Sequence, residues 1–310
     1  MIQTFNLTKK FRDLTAVNQL NLTINKGDIF GFIGPNGAGK TTTIKMLSTL
    51  LQPTAGTAEI GGHNVMKDPD AVKRIIGYMP DFFGVYDDMK VWEYMDFFAA
   101  AYKIAKERRK DIIDNLLSLT DLTDKHDAYV ETLSRGMKQR LCLAKTLIHD
   151  PQVLLLDEPA SGLDPRARIE MRELLKELRK MGKTVLISSH ILTELEELCN
   201  TIGIIEKGSL LVSGPIDEIT SKLKGVRIVD IKLASEEEAN KTHDILIAHE
   251  GVAEVGIDGV RLEVHLKEDA PADISLSRVL APHDIFPQAV QERELDLEDI
   301  FMTITKGNVQ

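Results

Sequence analysis

A block of eight residues has the composition and spacing of a phosphate-binding loop. Gly34 to Thr41 reads GPNGAGKT and fits the pattern G-x-x-x-x-G-K-[ST] at every fixed position. Its glycines allow the backbone to bring N–H groups up to an anion, and a helix that starts there adds partial positive charge. Lys40 is expected to reach the β- and γ-phosphates of a nucleotide, and the Thr41 hydroxyl to ligate Mg²⁺. The predicted nucleotide-binding residues of this loop are Gly34, Pro35, Asn36, Gly37, Ala38, Gly39, Lys40, Thr41 and Thr42.

Two adjacent carboxylates follow an apolar run later in the chain. Val153 to Leu156 is continuously apolar, as in a buried parallel strand, and Asp157 and Glu158 come directly after it. Ligands of open α/β sheets bind at the carboxyl ends of the strands, so these side chains are expected near the phosphate loop. Asp157 is a candidate Mg²⁺ ligand, and Glu158 can accept a proton from an attacking water.

A histidine stands at the end of another apolar run. Thr184 to His190 is predicted to be a buried strand with His190 at its end. A lone histidine is more often structural. One at the sheet edge that also carries a phosphate loop is predicted to sense the γ-phosphate.

Two further features are weaker taken alone. Phe11 lies in a basic neighbourhood, where it either stacks on a nucleotide base or is a partly buried aromatic at a strand end, and the residue itself does not favour one over the other. Leu133 to Arg140 is a polar turn that leads into a helix, with Ser134 as its N-cap. Such a turn is a second possible anion site, although every capped helix begins in this way.

The elements that must position these groups alternate between strand and helix. Ile29 to Ile33 suits a buried strand, and Thr42 to Leu51 has helical spacing that Pro53 ends. Val91 to Leu119 is predicted to be a helical insert whose dense aromatic residues are mostly core, with some forming a docking surface. The other predicted elements of this part are the strands Ile2–Thr8, Asn21–Ile24, Thr57–Ile60 and Ile75–Met79 and the helix Arg166–Met181.

Bulk composition indicates a globular chain. The 310 residues are 43% apolar and 28% charged, and no apolar stretch approaches the roughly 18 residues that a bilayer-spanning helix requires. Met1 to Lys10 lacks the basic and apolar regions of a signal peptide. Cys142 and Cys199 have no metal or redox spacing and are expected to be reduced core thiols, which favours a cytoplasmic location.

The net charge of −10 is concentrated at one end of the chain. Residues 225–310 hold 8 of the 38 basic and 18 of the 48 acidic residues, a balance of −10. Residues 1–224 hold the other 30 of each and are neutral. This shift predicts a domain boundary near Gly225. A chain without a basic face is not expected to bind nucleic acid.

Residues 225–310 are predicted to form a small α+β domain. Asp258-Gly259 between two alternating runs indicates a β-hairpin. The predicted elements are the strands Val226–Leu233, Val252–Ile257, Val260–Leu266 and His283–Gln291 and the helices Ser235–His249, Ile274–Leu280 and Leu297–Thr305.

Together, and in this order, the motifs resemble those of the ATP-binding subunit of an ABC (ATP-binding cassette) transporter over roughly residues 1–220. Walker motifs alone also fit kinases, helicases or GTPases, whereas the full set is highly specific. Phe11 resembles the A-loop aromatic of that family, and Gly34–Thr42 its Walker A loop. Ser134–Met137 resembles the signature loop, and Ser161–Asp164 the D-loop. Asp157 resembles the Walker B carboxylate, Glu158 the catalytic carboxylate and His190 the switch histidine.

The resemblance implies an α/β P-loop NTPase fold. This fold has a RecA-like core, an antiparallel β subdomain and a helical insert at about residues 85–149, followed here by the accessory α+β domain at 225–310. It further implies that the chain binds and hydrolyses Mg·ATP. The residues that the resemblance assigns to catalysis are Glu158, His190 and Lys40, and those assigned to the metal are Thr41, Asp157 and Asp81.

The resemblance also implies two partners. A second copy, or a homologous ATPase subunit, is expected to pair head to tail, so that Ser134 and Gly136 of one chain meet the ATP of the other. A separate integral-membrane permease is the second partner. The chain would then be cytoplasmic and peripheral on the inner face of the cell membrane, which it contacts only through the permease.

Two positions depart from the family pattern. The usual Leu-Ser-Gly-Gly-Gln signature reads Leu133-Ser134-Arg135-Gly136-Met137, so Arg135 adds a charge that faces either the phosphates or solvent. The Q-loop glutamine is replaced by Asp81, which is shorter and only accepts hydrogen bonds. Asp81 is expected to hold a water bound to Mg²⁺, and coupling to the partner is expected to differ.

Two alternatives to a transport ATPase are a soluble ABC-type ATPase that acts on ribosomes or DNA and a non-catalytic ATP-sensing module. The single cassette, with no long coiled-coil insert, disfavours the first. Intact Glu158 and His190 disfavour the second.

Leu297 to Phe301 resembles the tail of subunits that serve ABC-2-type exporters, which predicts export. The accessory domain dimerises, stiffens the pair or binds a regulator, and dimer support is the preferred hypothesis.

Overall fold

The chain divides into two compact units, Met1–Ile216 and Asp217–Gln310. A computed structural model of the chain describes residues 1–82, 84, 88–222, 227–267, 270–271, 275–293, 299 and 301. The strands of the first unit are β1 (Ile2–Phe11), β2 (Leu14–Leu20), β3 (Thr23–Ile24), β4 (Ile29–Ile33), β5 (Ala55–Ile60), β6 (His63–Asn64), β7 (Ile76–Met79), β8 (Val153–Asp157), β9 (Thr184–Ser189), β10 (Thr201–Glu206) and β11 (Ser209–Pro215).

Helices connect these strands and cover the sheet. They are α1 (Lys40–Leu47), α2 (Pro69–Ile75), α3 (Val91–Ala101), α4 (Lys106–Leu119), α5 (Arg135–Leu147), α6 (Pro165–Lys180) and α7 (Leu192–Glu196), and α8 (Ile216–Lys222) begins where the first unit ends. None of the helices in the described part of the chain is both long enough and apolar enough to cross a membrane.

A six-stranded sheet forms the centre of the first unit, in the order β11-β10-β4-β9-β8-β7. All neighbours from β10 to β7 pair in parallel, and only β11 runs antiparallel at the edge. Every residue of β4, β8 and β9 is buried, because helices cover both faces of a parallel sheet. The carboxyl ends of β4, β7, β8 and β9 therefore meet at one edge.

An antiparallel sheet and a helical insert complete the first unit. The antiparallel strands have the order β2-β1-β5-β6, with β3 also paired to β1. The insert comprises α3, α4, the start of α5 and two short 3₁₀ turns between them, and it has its own apolar core around Tyr94, Met95 and Leu117. Phe97 and Tyr102 of the insert are nearly half exposed, and Phe82 before it is 90% exposed. The predicted mixture of core and exposed aromatic residues is therefore present.

Three local predictions were wrong. The turn predicted between Thr8 and Asn21 is a hairpin of β1 and β2, whose register shifts obscure the two-residue alternation that reveals a strand. The strand predicted to end at His190 ends at Ser189. His283 belongs to a 3₁₀ turn, and the strand predicted from it begins only at Ala289, because Pro287 in this stretch cannot donate to a sheet.

The hairpin of β10 and β11 was not predicted, although a signal was present. Ile202, Ile204 and Ile205 form an apolar run, and Lys207-Gly208 is a turn before a second one. The Ile205 side chain and carbonyl pack against the phosphate loop, so this hairpin helps to shape the site.

The second unit is a four-stranded antiparallel sheet packed against helices. Its strand order is β13-β14-β12-β15. Its elements are β12 (Arg227–Lys232), α9 (Glu236–Ile247), β13 (Val252–Asp258), β14 (Arg261–Leu266), α10 (Leu276–Leu280) and β15 (Ala289–Arg293). An apolar cluster that includes Ile231, Leu246 and Val264 forms its core. Of the helix predicted at Leu297–Thr305, only Asp299 and Phe301 are among the described residues, and both are helical.

Candidate nucleotide-binding site

Four loops that follow neighbouring parallel strands form the candidate site. The phosphate loop follows β4, Asp81 follows β7 after Pro80, Glu158 follows β8 and His190 follows β9. The register places Asp157 beside Ser188, and Ser189 beside Ile33 at the start of the loop. Groups that are more than 100 residues apart in sequence therefore meet because the strands are adjacent.

The phosphate loop is packed too tightly for side chains at two of its glycines. A Cβ atom on Gly34 would overlap the carbonyl oxygen of Ile205, and one on Gly39 would overlap that of Ala16. Gly39 also has a φ of 109°, in a region that residues with side chains rarely adopt. Both positions require glycine, and α1 begins at Lys40 directly after them.

Lys40 lies inside the loop. Its side chain is 6% exposed, and its Nζ donates hydrogen bonds to the carbonyls of Gly34 at 2.5 Å and Pro35 at 3.3 Å. The Glu158 carboxylate lies 3.7 Å from the ammonium group. Burial lowers the pKa of Lys40, and the negative charge of Glu158 opposes that shift. The ammonium is thus held at the centre of the loop, where phosphate oxygens could replace its carbonyl partners.

Asp157 and Thr41 form a pair of oxygen donors beside the loop. Asp157 is buried, and its Oδ1 accepts hydrogen bonds from Thr41 Oγ1 at 3.1 Å and from Ser188 Oγ at 2.6 Å. Carboxylate and hydroxyl oxygens are the ligands that Mg²⁺ prefers, so this donor set fits that ion.

Burial, together with the charges of Asp157 and Asp81, raises the pKa of Tyr78 to about 12.

Glu158 has an unusual backbone that directs its side chain to the phosphate loop. Its φ is 51°, which is rare for a residue other than glycine, and its N–H donates to the carbonyl and the hydroxyl of Ser188. One carboxylate oxygen lies near Lys40, and the other is 2.8 Å from His190 Nδ1. Outliers of this kind persist only where surrounding contacts hold them and are common at functional sites.

An open cavity of about 420 Å³ contains most of the predicted site residues. Phe11 lies at its rim, 44% exposed, with the Lys9 ammonium 5.1 Å from its ring centre. Leu14, Ala16 and Ser161 also line it, although sequence reasoning did not place them in the nucleotide site. The described residues that line the cavity are Phe11, Leu14, Ala16, Pro35, Asn36, Gly37, Ala38, Gly39, Lys40, Thr41, Thr42, Asp81, Glu158, Ser161 and His190.

The signature-like residues lie elsewhere. Ser134 caps α5 by accepting a hydrogen bond from the Met137 N–H at 3.3 Å, and neither Ser134 nor Gly136 is among the described residues that line the cavity. Arg135 is exposed, but it is in contact with its own chain. Its guanidinium lies against Gly162 and donates a hydrogen bond to the Ser161 carbonyl at 3.0 Å.

Comparison with known proteins gives the site its family context. Residues 17–161 match the family model described as ABC transporter. The chain is 36% identical to the bacitracin transport ATP-binding protein BcrA of Bacillus licheniformis, over 99% of this chain and 98% of that protein. The chain belongs to the ATP-binding subunits of ABC transporters.

Two further comparisons support this membership. The Nod factor export ATP-binding protein I of Burkholderia lata is 39% identical over 73% of this chain and 74% of that protein. A dimeric ATP-binding cassette solved in a post-hydrolysis state with ADP and Pi superimposes with a TM-score of 0.63 at 25% identity, over 70% of this chain and 99% of that one. The predicted P-loop NTPase fold is confirmed, and as a member of this family the protein binds and hydrolyses ATP.

Proposed function

We propose that this ABC ATPase powers export through a separate membrane permease, and that it does so as a pair of cassettes on the inner face of the membrane. The observation that carries the catalytic part is the Glu158 carboxylate, held between Lys40 and His190 at the mouth of the phosphate-loop cavity. The similarity to BcrA and to the Nod factor exporter subunit supports the transport part.

Each charged group has a distinct part in the proposed hydrolysis. Glu158 accepts a proton from a water whose oxygen attacks the γ-phosphorus, and the bond from phosphorus to the bridging oxygen breaks to release ADP. Lys40 neutralises charge on the β- and γ-phosphate oxygens. His190 orients the Glu158 carboxylate through Nδ1, while its Nε2, which has no partner among the described residues, faces the γ-phosphate.

Thr41 and Asp157 are the proposed holders of Mg²⁺, with Asp81 as a further candidate. The ion, when bound, neutralises negative charge on the phosphates. Phe11 is proposed to stack on the base, because it lies exposed at the cavity rim rather than in the core. Ser134 and Gly136 are proposed to complete the site of a second copy, since they lie outside the cavity of their own chain.

Replacing Asp81 with glutamine tests its proposed part in metal binding. Removing one negative charge from the cavity is expected to weaken Mg²⁺ binding by about 1 kcal/mol, or about fivefold in the Mg²⁺ concentration for half-maximal ATPase rate. Hydrolysis at saturating Mg²⁺ is expected to persist. Asp70→Asn, at an exposed position on α2, is the matched control. An unchanged rate together with an unchanged Mg²⁺ dependence would exclude a role for Asp81.

Purification from membranes tests the proposed partner. The tagged chain, extracted in mild detergent, is expected to bring down a protein with several apolar segments of about 20 residues. The exposed aromatic residues Phe82, Phe97 and Tyr102 offer a docking surface for it. Recovery with ribosomes or DNA instead, without such a membrane protein, would favour the soluble ABC ATPase over the exporter.

A further inference from the structure

One face of α5 is attached to the loop that follows β8. The Gln139 amide is 4% exposed, and its Nε2 donates a hydrogen bond to the Pro159 carbonyl at 2.7 Å. One turn earlier on the same face, Arg135 donates to the Ser161 carbonyl. A single helix face therefore holds two carbonyls of the segment that begins at Glu158.

The buried contact fixes the carbonyl group of the residue that follows Glu158, which has an energetically unfavourable backbone. Glu158 has a left-handed backbone, and Ser188 binds the N–H on its amino side. Gln139 binds the carbonyl one residue later, so both sides of the strained residue are held. Only the amide –NH₂ can make this bond, because a carbonyl accepts and does not donate. Breaking it would leave the Pro159 carbonyl without this buried donor.

We infer that Gln139 is a positioning residue for the Glu158 carboxylate. The inference rests on the proposed role of Glu158 as the group that accepts the proton of the attacking water. Gln139 is not among the described residues that line the nucleotide cavity, so its effect passes through the Pro159 peptide. Ser134 caps the same helix and Gly136 lies in its first turn, so within one chain Gln139 also links the signature-like turn to the Glu158 carboxylate.

Three variants separate positioning from simple packing. Gln139→Leu removes the donor at every pH, and Gln139→Glu replaces it with a group that can donate to the Pro159 carbonyl only when protonated. We expect Gln139→Leu to lower kcat about tenfold while the Kd for an ATP analogue stays within about twofold of wild type. Gln152→Glu, which makes the same chemical change at an exposed glutamine, is the control and is expected to behave as wild type.

The pH profile gives a readout that loss of packing would not give. The ratio of the Gln139→Glu kcat to the wild-type kcat is expected to rise severalfold as the pH falls from about 8 to about 6, because protonation restores a donor. Taking the ratio to wild type at each pH removes any pH dependence of kcat that the two proteins share. A pH-independent ratio, or a loss of kcat matched by an equal loss of ATP-analogue affinity, would overturn the inference.

A double-mutant cycle separates this inference from the proposed function. In a Glu158→Gln background, Gln139→Leu is expected to cause no further loss of kcat, since it acts only through the carboxylate. Wild-type turnover in Glu158→Gln itself refutes the proposed role of Glu158. If Glu158→Gln loses turnover but both Gln139 variants have a normal kcat, only the role of Gln139 is refuted. Should Gln139→Leu not fold, as judged by thermal unfolding, the pH ratio of Gln139→Glu decides.

Discussion

Replacing Glu158 with glutamine is expected to slow ATP hydrolysis by about 10²–10⁴-fold while ATP still binds. Glutamine has nearly the same shape as glutamate but cannot accept the proton of the attacking water. The carboxylate lies 2.8 Å from His190 and 3.7 Å from Lys40, so the substitution removes the negative charge between these two groups. The substitution does not change the phosphate loop or its glycines.

Phosphate release and binding of a fluorescent ATP analogue should be measured in parallel. We expect kcat to fall while the Kd for the analogue is kept, and the variant to accumulate as an ATP-bound dimer in size-exclusion chromatography. Glu173→Gln, on the exposed side of α6, is the control for the loss of one carboxylate. Turnover close to wild type would show that Glu158 is not the base.

Replacing Lys40 with alanine is expected to abolish tight ATP binding. The buried ammonium is held at the centre of the phosphate loop by the carbonyls of Gly34 and Pro35. Hydrogen bonds to charged groups contribute up to about 3 kcal/mol, which corresponds to about 10²-fold in Kd. The effect should appear in ATP affinity, whereas that of Glu158→Gln should appear in kcat.

Titration with the same ATP analogue measures this loss directly. Lys45→Ala, an exposed lysine on the same helix, removes an equal charge and is expected to bind ATP normally. Circular dichroism should show that the total helix content is unchanged, because alanine favours helix. An affinity that is equal in both variants would mean that Lys40 does not contact the phosphates.

The groups of the site could be predicted from short stretches of sequence. Each lies directly after an apolar run, at Ile29–Ile33, Val153–Leu156 and Thr184–Ser189, and such runs are typical of buried parallel strands. Because ligands bind at the carboxyl end of these strands, the chemistry could be located before the fold was known. The position of Phe11 at the cavity, by contrast, depends on the hairpin of β1 and β2, whose irregular register obscures the pattern.

The contacts that hold the loops in place could not be predicted in this way. The Gln139 bond to Pro159 and the Arg135 bond to Ser161 join positions 20 and 26 residues apart in sequence. The sequence leaves open whether Arg135 faces phosphate or solvent, and the structure places its guanidinium on the backbone of its own chain. Such contacts depend on how α5 packs against β7 and meets the segment that follows β8, which no local pattern encodes.

The sequence by itself therefore determined the candidate chemistry of this protein: a phosphate loop, a candidate metal-binding carboxylate, a candidate base and a histidine, each in a local motif. Only the tertiary structure decided how these groups are held, with Glu158 in a left-handed backbone between Lys40 and His190. The physical reason is that residue type and spacing encode local conformation. Side-chain contacts between distant segments arise only when strands and helices pack.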